Sequence, residues 1–178
     1  QSCPILCSHS SHKRGGDRRM KRLWAPWRMK YILSNKTKGC VLCEKVAEND
    51  DRKNHILHRG RTCYVVLNLY PYNNGHLMVV PYQHVPSLEM LEEETMTEMM
   101  LLVSKCLVAL RQCMNPQGFN LGANIGKAAG AGVYDHVHLH IVPRWEGDTN
   151  FMPIFAETRV IPELLDDTYD QLKAHLCR

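Results

Sequence analysis

The sequence predicts an α+β domain built on an antiparallel sheet. Three observations support this fold class: two strand-like segments joined by turn residues come first, a long segment of helical periodicity follows, and two more strand-like segments come next. The apolar fraction of 44% supports a genuine hydrophobic core. A chain of 178 residues is long enough for one compact domain and too short for two ordinary ones.

The first pair of strands is predicted between residues 61 and 82. Residues 61–69 are rich in β-branched and aromatic side chains, and residues 76–82 form a second apolar run. The segment between them, Tyr-Pro-Tyr-Asn-Asn-Gly, is typical of a turn, so the two strands should form a hairpin. Ahead of the hairpin, residues 39–43 (Gly-Cys-Val-Leu-Cys) are expected to form a tight turn.

A long helix is predicted after the hairpin, because apolar residues and methionines recur at helical spacing from Leu88 to Met114. Ser87 is the candidate N-cap of this helix, and Asn115-Pro116 should end it. The methionine-rich stripe is expected to belong to the core. A short closing helix is expected over residues 167–176.

Two more strands are predicted on either side of a loop of small residues. Residues 118–125 alternate glycine or asparagine with apolar side chains, and residues 136–142 alternate histidine with valine, leucine and isoleucine. The loop at 126–132 (Gly-Lys-Ala-Ala-Gly-Ala-Gly) carries little side-chain bulk. Its backbone can therefore approach a phosphate group closely.

His136, His138 and His140 should lie on one face of the last strand, because successive side chains of a strand point to opposite faces. On a helix the same spacing would spread them over more than half of the circumference. Imidazoles can act as nucleophiles and transfer protons near neutral pH. A metal site of three histidines is the alternative that this pattern alone leaves open.

The segment His136-Val-His-Leu-His-Ile-Val142 resembles the signature of the histidine triad family, His-x-His-x-His followed by two apolar residues. Pro143-Arg144 after it, and Asn68 ahead of Gly75-His76 and an apolar strand, match the family in order and spacing. These flanking matches favour the family over a three-histidine metal site, and the resemblance covers roughly residues 39–144. The flanks at 23–28 and 145–150 resemble the branch of diadenosine-tetraphosphate phosphorylases and ATP adenylyltransferases.

The resemblance implies a histidine-triad fold, with a five-stranded antiparallel sheet, one long helix and one short helix. It implies a single domain over 20–178, divided into an amino-terminal arm (20–38), a core (39–144) and a carboxy-terminal segment (145–178). Residues 1–19 are expected to be a poorly ordered extension or an artefact of the start site. The family also forms homodimers with a continuous sheet, so a homodimer is expected.

The resemblance further implies nucleotidyl transfer at the α-phosphate of an adenine dinucleoside polyphosphate. His138 would form a covalent adduct with AMP, and His140 would bind the transferred phosphoryl group. The catalytic set is therefore His136, His138 and His140. The expected nucleotide contacts are Asn68, His76, Asn124, Lys127, Gly132 and Arg144. Many relatives carry Gln-Ser or Gln-Thr before the triad, whereas residues 130–133 here are Gly-Ala-Gly-Val, so backbone amides would have to bind the phosphates.

Phosphorolysis of diadenosine tetraphosphate to ADP and ATP is the expected reaction. Hydrolysis of dinucleoside polyphosphates or of nucleoside phosphoramidates is the second interpretation. A nucleotide-binding regulatory protein with low turnover is a third, of a different class, and retention of all three histidines argues against it. A divalent cation can accompany the polyphosphate substrate, but the chemistry itself needs no metal by family precedent.

A structural Zn²⁺ is predicted at Cys40, Cys43, His84 and His136. Of the eight cysteines, only Cys40 and Cys43 have a spacing that suggests chemistry. His84 and His136 resemble the metal positions of zinc-bearing relatives, including the galactose-1-phosphate uridylyltransferases. A redox pair is the alternative for Cys-x-x-Cys, but such a pair should open a helix in a βαβ unit, which the sequence does not suggest.

The charge distribution argues against a nucleic-acid partner, including a zinc-based nucleic-acid binder. The formal net charge is +4, but residues 1–19 carry four of the basic residues and only one acidic residue. The rest of the chain is therefore close to neutral. No apolar run approaches the ~20 residues that span a bilayer, and residues 4–7 are too short for the core of a signal peptide. We expect a cytoplasmic protein without a membrane partner.

Overall fold

The computed structural model describes residues 39–148 and 164–176 of the chain. Five strands are present in these residues: β1 (Ile56–Arg59), β2 (Cys63–Leu67), β3 (Leu77–Pro81), β4 (Gly118–Gly122) and β5 (Leu139–Arg144). The described residues also contain three α-helices: α1 (Val41–Ala47), α2 (Glu93–Met114) and α3 (Leu165–Leu176). The predictions for residues 1–19 and for the arm at 20–38 lie outside this part of the chain.

The strands form one sheet in the order β1-β2-β3-β5-β4, and each neighbouring pair is antiparallel. The predicted α+β class with a five-stranded antiparallel sheet is therefore confirmed. The structure adds α1 to the two helices that were expected. In the described ranges, no helix combines the length and the apolar character needed to cross a membrane.

The two faces of the sheet are covered by different elements. One face packs against α2 and α3 and forms the larger core, to which the sheet contributes Cys63, Val65, Leu67, Leu77, Val79 and Ile141. The other face packs against α1 in a smaller cluster that comprises Leu42, Ile56, Tyr64, Val66 and Val80. Met78 on this second face is the register partner of His140, so His140 also lies on the α1 face.

The long helix begins later than predicted. Residues Leu88–Met90 form a single 3₁₀ turn, Leu91 is extended, and α2 starts at Glu93, so Ser87 is not its N-cap. The Ser87 hydroxyl contacts the Glu89 carboxylate instead of capping a helix. Asn115 ends the helix in a left-handed conformation, as the Asn-Pro signal predicts.

The methionine stripe of α2 is only partly core. Met99 is buried with 3% exposure, whereas Met96 and Met100 are 39% and 55% exposed. The buried positions of the helix are occupied by smaller and branched side chains, which pack closely against the flat sheet surface: Leu102, Val103, Cys106, Ala109 and Leu110.

Three other local predictions need correction. Residues 39–43 lead into α1 rather than forming an isolated turn. The strand β1 was not predicted from the sequence. The last strand is paired over Leu139–Arg144, so His136 and His138 precede its ladder. The segment before the ladder is held by the Val137 N–H, which donates to the Val85 carbonyl over 2.7 Å.

Candidate active site and metal centre

A pocket of about 400 Å³ opens on the α1 face of the sheet, within the usual size range of small-molecule sites. His138 and His140 line it beside β5, and Asn68 lines it where β2 ends. The loop after β4 supplies backbone and small side chains at 130–133, and α1 supplies part of an apolar wall. The pocket therefore joins a polar region on the triad segment to an apolar region under α1.

His138 presents a nucleophilic nitrogen in this pocket. Its Nδ1 lies 2.9 Å from the backbone carbonyl of His136. Because a carbonyl only accepts hydrogen bonds, Nδ1 carries the proton and Nε2 carries the lone pair. Burial lowers the pKa of His138, although the hydrogen bond to the carbonyl opposes this effect. The neutral imidazole is therefore favoured, with a lone pair on Nε2 that could act as a nucleophile.

His140 has the opposite tautomer, and His76 sets it. The Tyr72 N–H donates to His76 Nδ1 over 3.0 Å, so the proton of His76 is on Nε2. That Nε2–H lies 2.9 Å from His140 Nδ1 and donates to it. His140 consequently carries its proton on Nε2. Burial and the two neighbouring histidines lower the pKa of His76 to about 3, so His76 stays neutral near physiological pH.

Asn68 is fixed by the turn that follows β2. Its Oδ1 accepts a hydrogen bond from the Tyr70 N–H over 3.0 Å, and its Nδ2 lies 3.3 Å from His76 Nδ1. These contacts hold the side chain at the wall of the pocket. An amide at this position can donate to and accept from hydroxyl groups of a ligand.

A second cluster lies beside the pocket and can hold a metal ion. The ligand atoms of Cys40, Cys43, His84 and His136 all lie within 4.8 Å of one another. His136 Nδ1 is 3.3 Å from Cys40 Sγ and 3.4 Å from Cys43 Sγ, and His84 Nδ1 is 3.4 Å from Cys43 Sγ. Ligand atoms around a tetrahedral zinc ion are about 3.3–3.8 Å apart, so this donor set fits zinc.

The orientation of His136 agrees with a ligand role. Its Nε2 lies 2.9 Å from the Pro81 carbonyl, which requires the proton on Nε2 and leaves Nδ1 directed at the thiols with a lone pair. Cys40 does precede a helix, as the N-cap of α1, but every strand pair of the described sheet is antiparallel, so this helix does not belong to a βαβ unit. Burial and Cys40 also raise the pKa of the Cys43 thiol to about 11, whereas reactive redox cysteines have a lowered pKa.

Comparison with known proteins identifies the family. Residues 49–147 match the family model of the HIT domain, the histidine triad domain. The chain belongs to the histidine triad family. The AP-4-A phosphorylase of Mycobacterium tuberculosis is 39% identical over 170 residues, which cover 90% of this chain and 87% of that protein. The resemblance to this family and branch that was inferred from the sequence is therefore confirmed.

Solved structures of histidine triad proteins share the fold. A zinc-bound histidine triad family protein from Mycobacterium smegmatis has a TM-score of 0.64 and 26% identity, covering 79% of this chain and 94% of its own. A hypothetical histidine triad nucleotide-binding protein from Sulfolobus tokodaii has a TM-score of 0.60 and 27% identity, covering 77% and 89%.

The predicted histidine triad divides between the two sites. His138 and His140 line the pocket, whereas the His136 ring faces the cysteines. His136 contacts the active site through its backbone, because its carbonyl holds His138 Nδ1. Four of the predicted nucleotide contacts also line the pocket: Asn68, Asn124, Lys127 and Gly132. The Lys127 ammonium additionally lies 4.2 Å from the centre of the Tyr134 ring.

Two predicted nucleotide contacts have other positions. His76 is fully buried and does not line the pocket, and its Nε2–H donates to His140 Nδ1. Arg144 also lies outside the pocket lining, and its guanidinium pairs with both carboxylate oxygens of Asp148 at 2.6 and 2.8 Å. The nucleotide contacts of both residues stay predictions.

Sequence reasoning missed most of the apolar wall of the pocket. This wall includes Val41, Leu42, Leu67, Leu69 and Met78, together with the side chain of Lys45. The apolar residues carry no chemical signature, and Lys45 belongs to no motif. The three residues from α1 do share a helical spacing, and a correct prediction of α1 would have placed them on one face.

Replacing His76 by phenylalanine is expected to lower kcat about tenfold or more, with a smaller effect on KM. The substitution keeps the ring but removes the donor that fixes the proton of His140 on Nε2. Single-turnover kinetics would measure the effect. In a His140→Ala background, His76→Phe should not lower kcat further, because the imidazole that His76 orients is absent. An equal loss in both backgrounds would mean that His76 only supports the fold.

Proposed function

We propose that this chain cleaves dinucleoside polyphosphates by nucleotidyl transfer through His138, with inorganic phosphate as the acceptor. Diadenosine tetraphosphate and phosphate would then give ADP and ATP. The chain is an enzyme of the nucleotidyltransferase or hydrolase type, as its family and its phosphorylase relative indicate. One observation carries the proposal: a neutral His138, held at Nδ1 by the His136 carbonyl, lines the pocket beside a His140 of opposite tautomer.

The reaction proceeds in two displacements at the same phosphorus. His138 Nε2 attacks the α-phosphorus, the bond to the bridging oxygen breaks, and ATP leaves with the bonding electrons. The His140 Nε2–H donates a hydrogen bond to a phosphoryl oxygen on which charge develops. An oxygen of inorganic phosphate then attacks the same phosphorus, the bond to Nε2 breaks, and ADP forms. Water in place of phosphate would give AMP.

The remaining pocket residues have binding roles in this proposal. Asn68 holds the ribose hydroxyls, and the apolar wall under α1 receives the base. Asn124 and Lys127 contact the phosphates, together with the backbone around Gly132. The loop suits this role because Gly126 and Gly130 have positive φ angles of 79° and 81°, which turn its backbone tightly.

Phosphate is expected to raise the turnover of diadenosine tetraphosphate in a saturable way and to give ADP and ATP in equal amounts. Chromatographic product analysis at rising phosphate concentration would measure this, with potassium chloride at matched ionic strength as the control. A rate independent of phosphate, with AMP and ATP as products, would show that the chain is a hydrolase. Nucleotide binding without turnover would favour the regulatory interpretation.

Zinc is the metal that we propose for the cluster of Cys40, Cys43, His84 and His136. Two thiolates and two imidazoles form a closed tetrahedral set that zinc prefers. Such an ion would tie the start of α1 to the triad segment and to the end of β3, and it would take no part in the reaction. A divalent cation on the polyphosphate would be a property of the substrate.

A homodimer is proposed through β4. In the described part of the chain, this edge strand pairs only with β5, and Leu121 on it is 47% exposed. Pairing of two such edges would continue the sheet and bury apolar surface, and sedimentation analysis would measure the assembly. A cytoplasmic location is proposed because the cysteines in the described residues are free thiols, which reducing compartments preserve.

A further inference from the structure

Lys45 adds a basic side chain to the otherwise apolar wall of the pocket. It lies one helical turn after Val41 on α1, and with Leu42 these residues line the same wall. Lys45 is half-buried, and its Nζ donates to the backbone carbonyl of Asn54 over 3.2 Å. This contact fixes the head group against the protein just before β1, at a residue that does not itself line the pocket.

The part of a ligand that reaches Lys45 follows from the order of the strands. His138 and His140 lie beside β5, and Asn68 lies at the end of β2, two strands away and thus about 10 Å across the sheet. A nucleotide bound by its phosphate at the histidines and by its ribose at Asn68 would extend toward α1. Its base would then meet Val41, Leu42 and Lys45. This step rests on the proposed function.

We propose that Lys45 is a specificity residue that donates a hydrogen bond to the edge of a bound purine and favours guanine over adenine. An ammonium group has three donors and no acceptor, and the Asn54 carbonyl uses one donor. Guanine presents two adjacent acceptors, O6 and N7, whereas adenine presents N7 next to the N6 amino donor. Lys45 can satisfy both atoms on the guanine edge and would oppose the amino group of adenine.

The substrate class follows from this base preference. The chain should accept dinucleoside polyphosphates that contain guanosine at least as readily as those that contain only adenosine. The two bases of the substrate need not be the same. Only the base of the nucleotide that is transferred to His138 would contact this wall. The alternative is a structural role, in which Lys45 only ties α1 to the backbone at Asn54.

Binding of GMP and AMP tests the proposal without any turnover. Isothermal titration calorimetry should show that the wild-type chain binds GMP more tightly than AMP. Lys45→Met should weaken GMP binding about tenfold and AMP binding by less than about threefold. Lys105→Met is the matched control, because Lys105 is also half-buried but lies on α2, outside the pocket lining. It should leave both affinities unchanged.

Four binding results would overturn the proposal. Binding of AMP as tight as that of GMP, or tighter, by the wild-type chain would contradict the preference. An equal loss of both affinities in Lys45→Met, with a lowered melting temperature, would assign Lys45 a structural role. Unchanged GMP binding in Lys45→Met would remove it from the site. Failure of both nucleotides to bind the wild-type chain would overturn this proposal and the proposed nucleotide site together.

Steady-state kinetics on two substrates would test the specificity role of Lys45 separately from the proposed reaction. The ratio of kcat/KM for diguanosine tetraphosphate to that for diadenosine tetraphosphate should fall about tenfold in Lys45→Met. Lys45→Arg should keep the wild-type ratio, because arginine also donates to O6 and N7. If neither compound is cleaved while GMP binding still depends on Lys45, the proposed reaction fails and the specificity stands. An unchanged ratio in an active enzyme would contradict the specificity alone.

Discussion

Replacing His138 by alanine is expected to lower kcat by at least about three orders of magnitude while nucleotide binding stays measurable. The substitution removes the attacking Nε2, so the covalent route is lost, whereas the walls of the pocket remain. Steady-state kinetics on diadenosine tetraphosphate would measure the loss, and calorimetry with AMP would measure the retained binding. Mass spectrometry after a quench without acid should detect the nucleotide adduct in the wild-type chain only.

His140→Ala is the informative comparison for this variant. It removes a hydrogen-bond donor but leaves the nucleophile, so its effect on kcat should be smaller than that of His138→Ala. The Nδ1 contact of His138 goes to the His136 backbone and does not involve His140, so the nucleophile keeps its tautomer in this variant. A His138→Ala chain that kept about a tenth of the wild-type kcat would be incompatible with a covalent intermediate at this residue.

The triad could be predicted from the sequence because its signal is local. Alternation of histidine with valine, leucine and isoleucine indicates both a strand and the face on which the imidazoles lie, and it does not depend on distant contacts. The separate role of His136 depends on partners far along the chain, since Cys40 is 96 residues away. Only the family resemblance suggested that pairing, because the spacing of residues that distant carries no geometric information.

The features that the sequence could not predict share a physical origin. The phosphate contact of Arg144 was predicted from its position after the triad, whereas the orientation of its guanidinium depends on Asp148, whose side chain is only 8% exposed. The tautomer of His140 depends on a buried His76 and on a backbone N–H in the turn before it. Neither arrangement can be derived from residue types, because each depends on which of several polar partners the folded chain brings within hydrogen-bond distance.

Removal of the proposed zinc ion is expected to lower the melting temperature by about 10 °C, equivalent to about 3–5 kcal/mol for a domain of this size. The four ligands come from α1, the end of β3 and the segment before β5, so loss of the ion would release three elements at once. Elemental analysis of protein purified without chelators should give about one zinc per chain. Calorimetry before and after chelation would measure the change in stability.

Cys40→Ser and Cys113→Ser form a matched pair for this experiment. Both residues are half-buried thiols, but Cys113 lies on α2 and outside the metal cluster. Cys40→Ser should lose zinc and stability, whereas Cys113→Ser should keep about one zinc per chain. Well under one zinc per chain in the untreated protein, or an unchanged melting temperature after chelation, would show that the four residues do not form a structural metal site.

Activity should fall along with the metal, although the ion does not contact the pocket directly. The ring of His136 faces the two thiols, and the carbonyl of the same residue accepts the Nδ1–H of His138. Release of the ring would let this carbonyl move, and His138 would lose the contact that fixes its nucleophilic tautomer. Chelation should therefore lower kcat at temperatures well below the melting transition, and added zinc should restore it. If kcat instead stays constant until the chain unfolds, the two sites are independent and His136 orients the nucleophile without help from the metal.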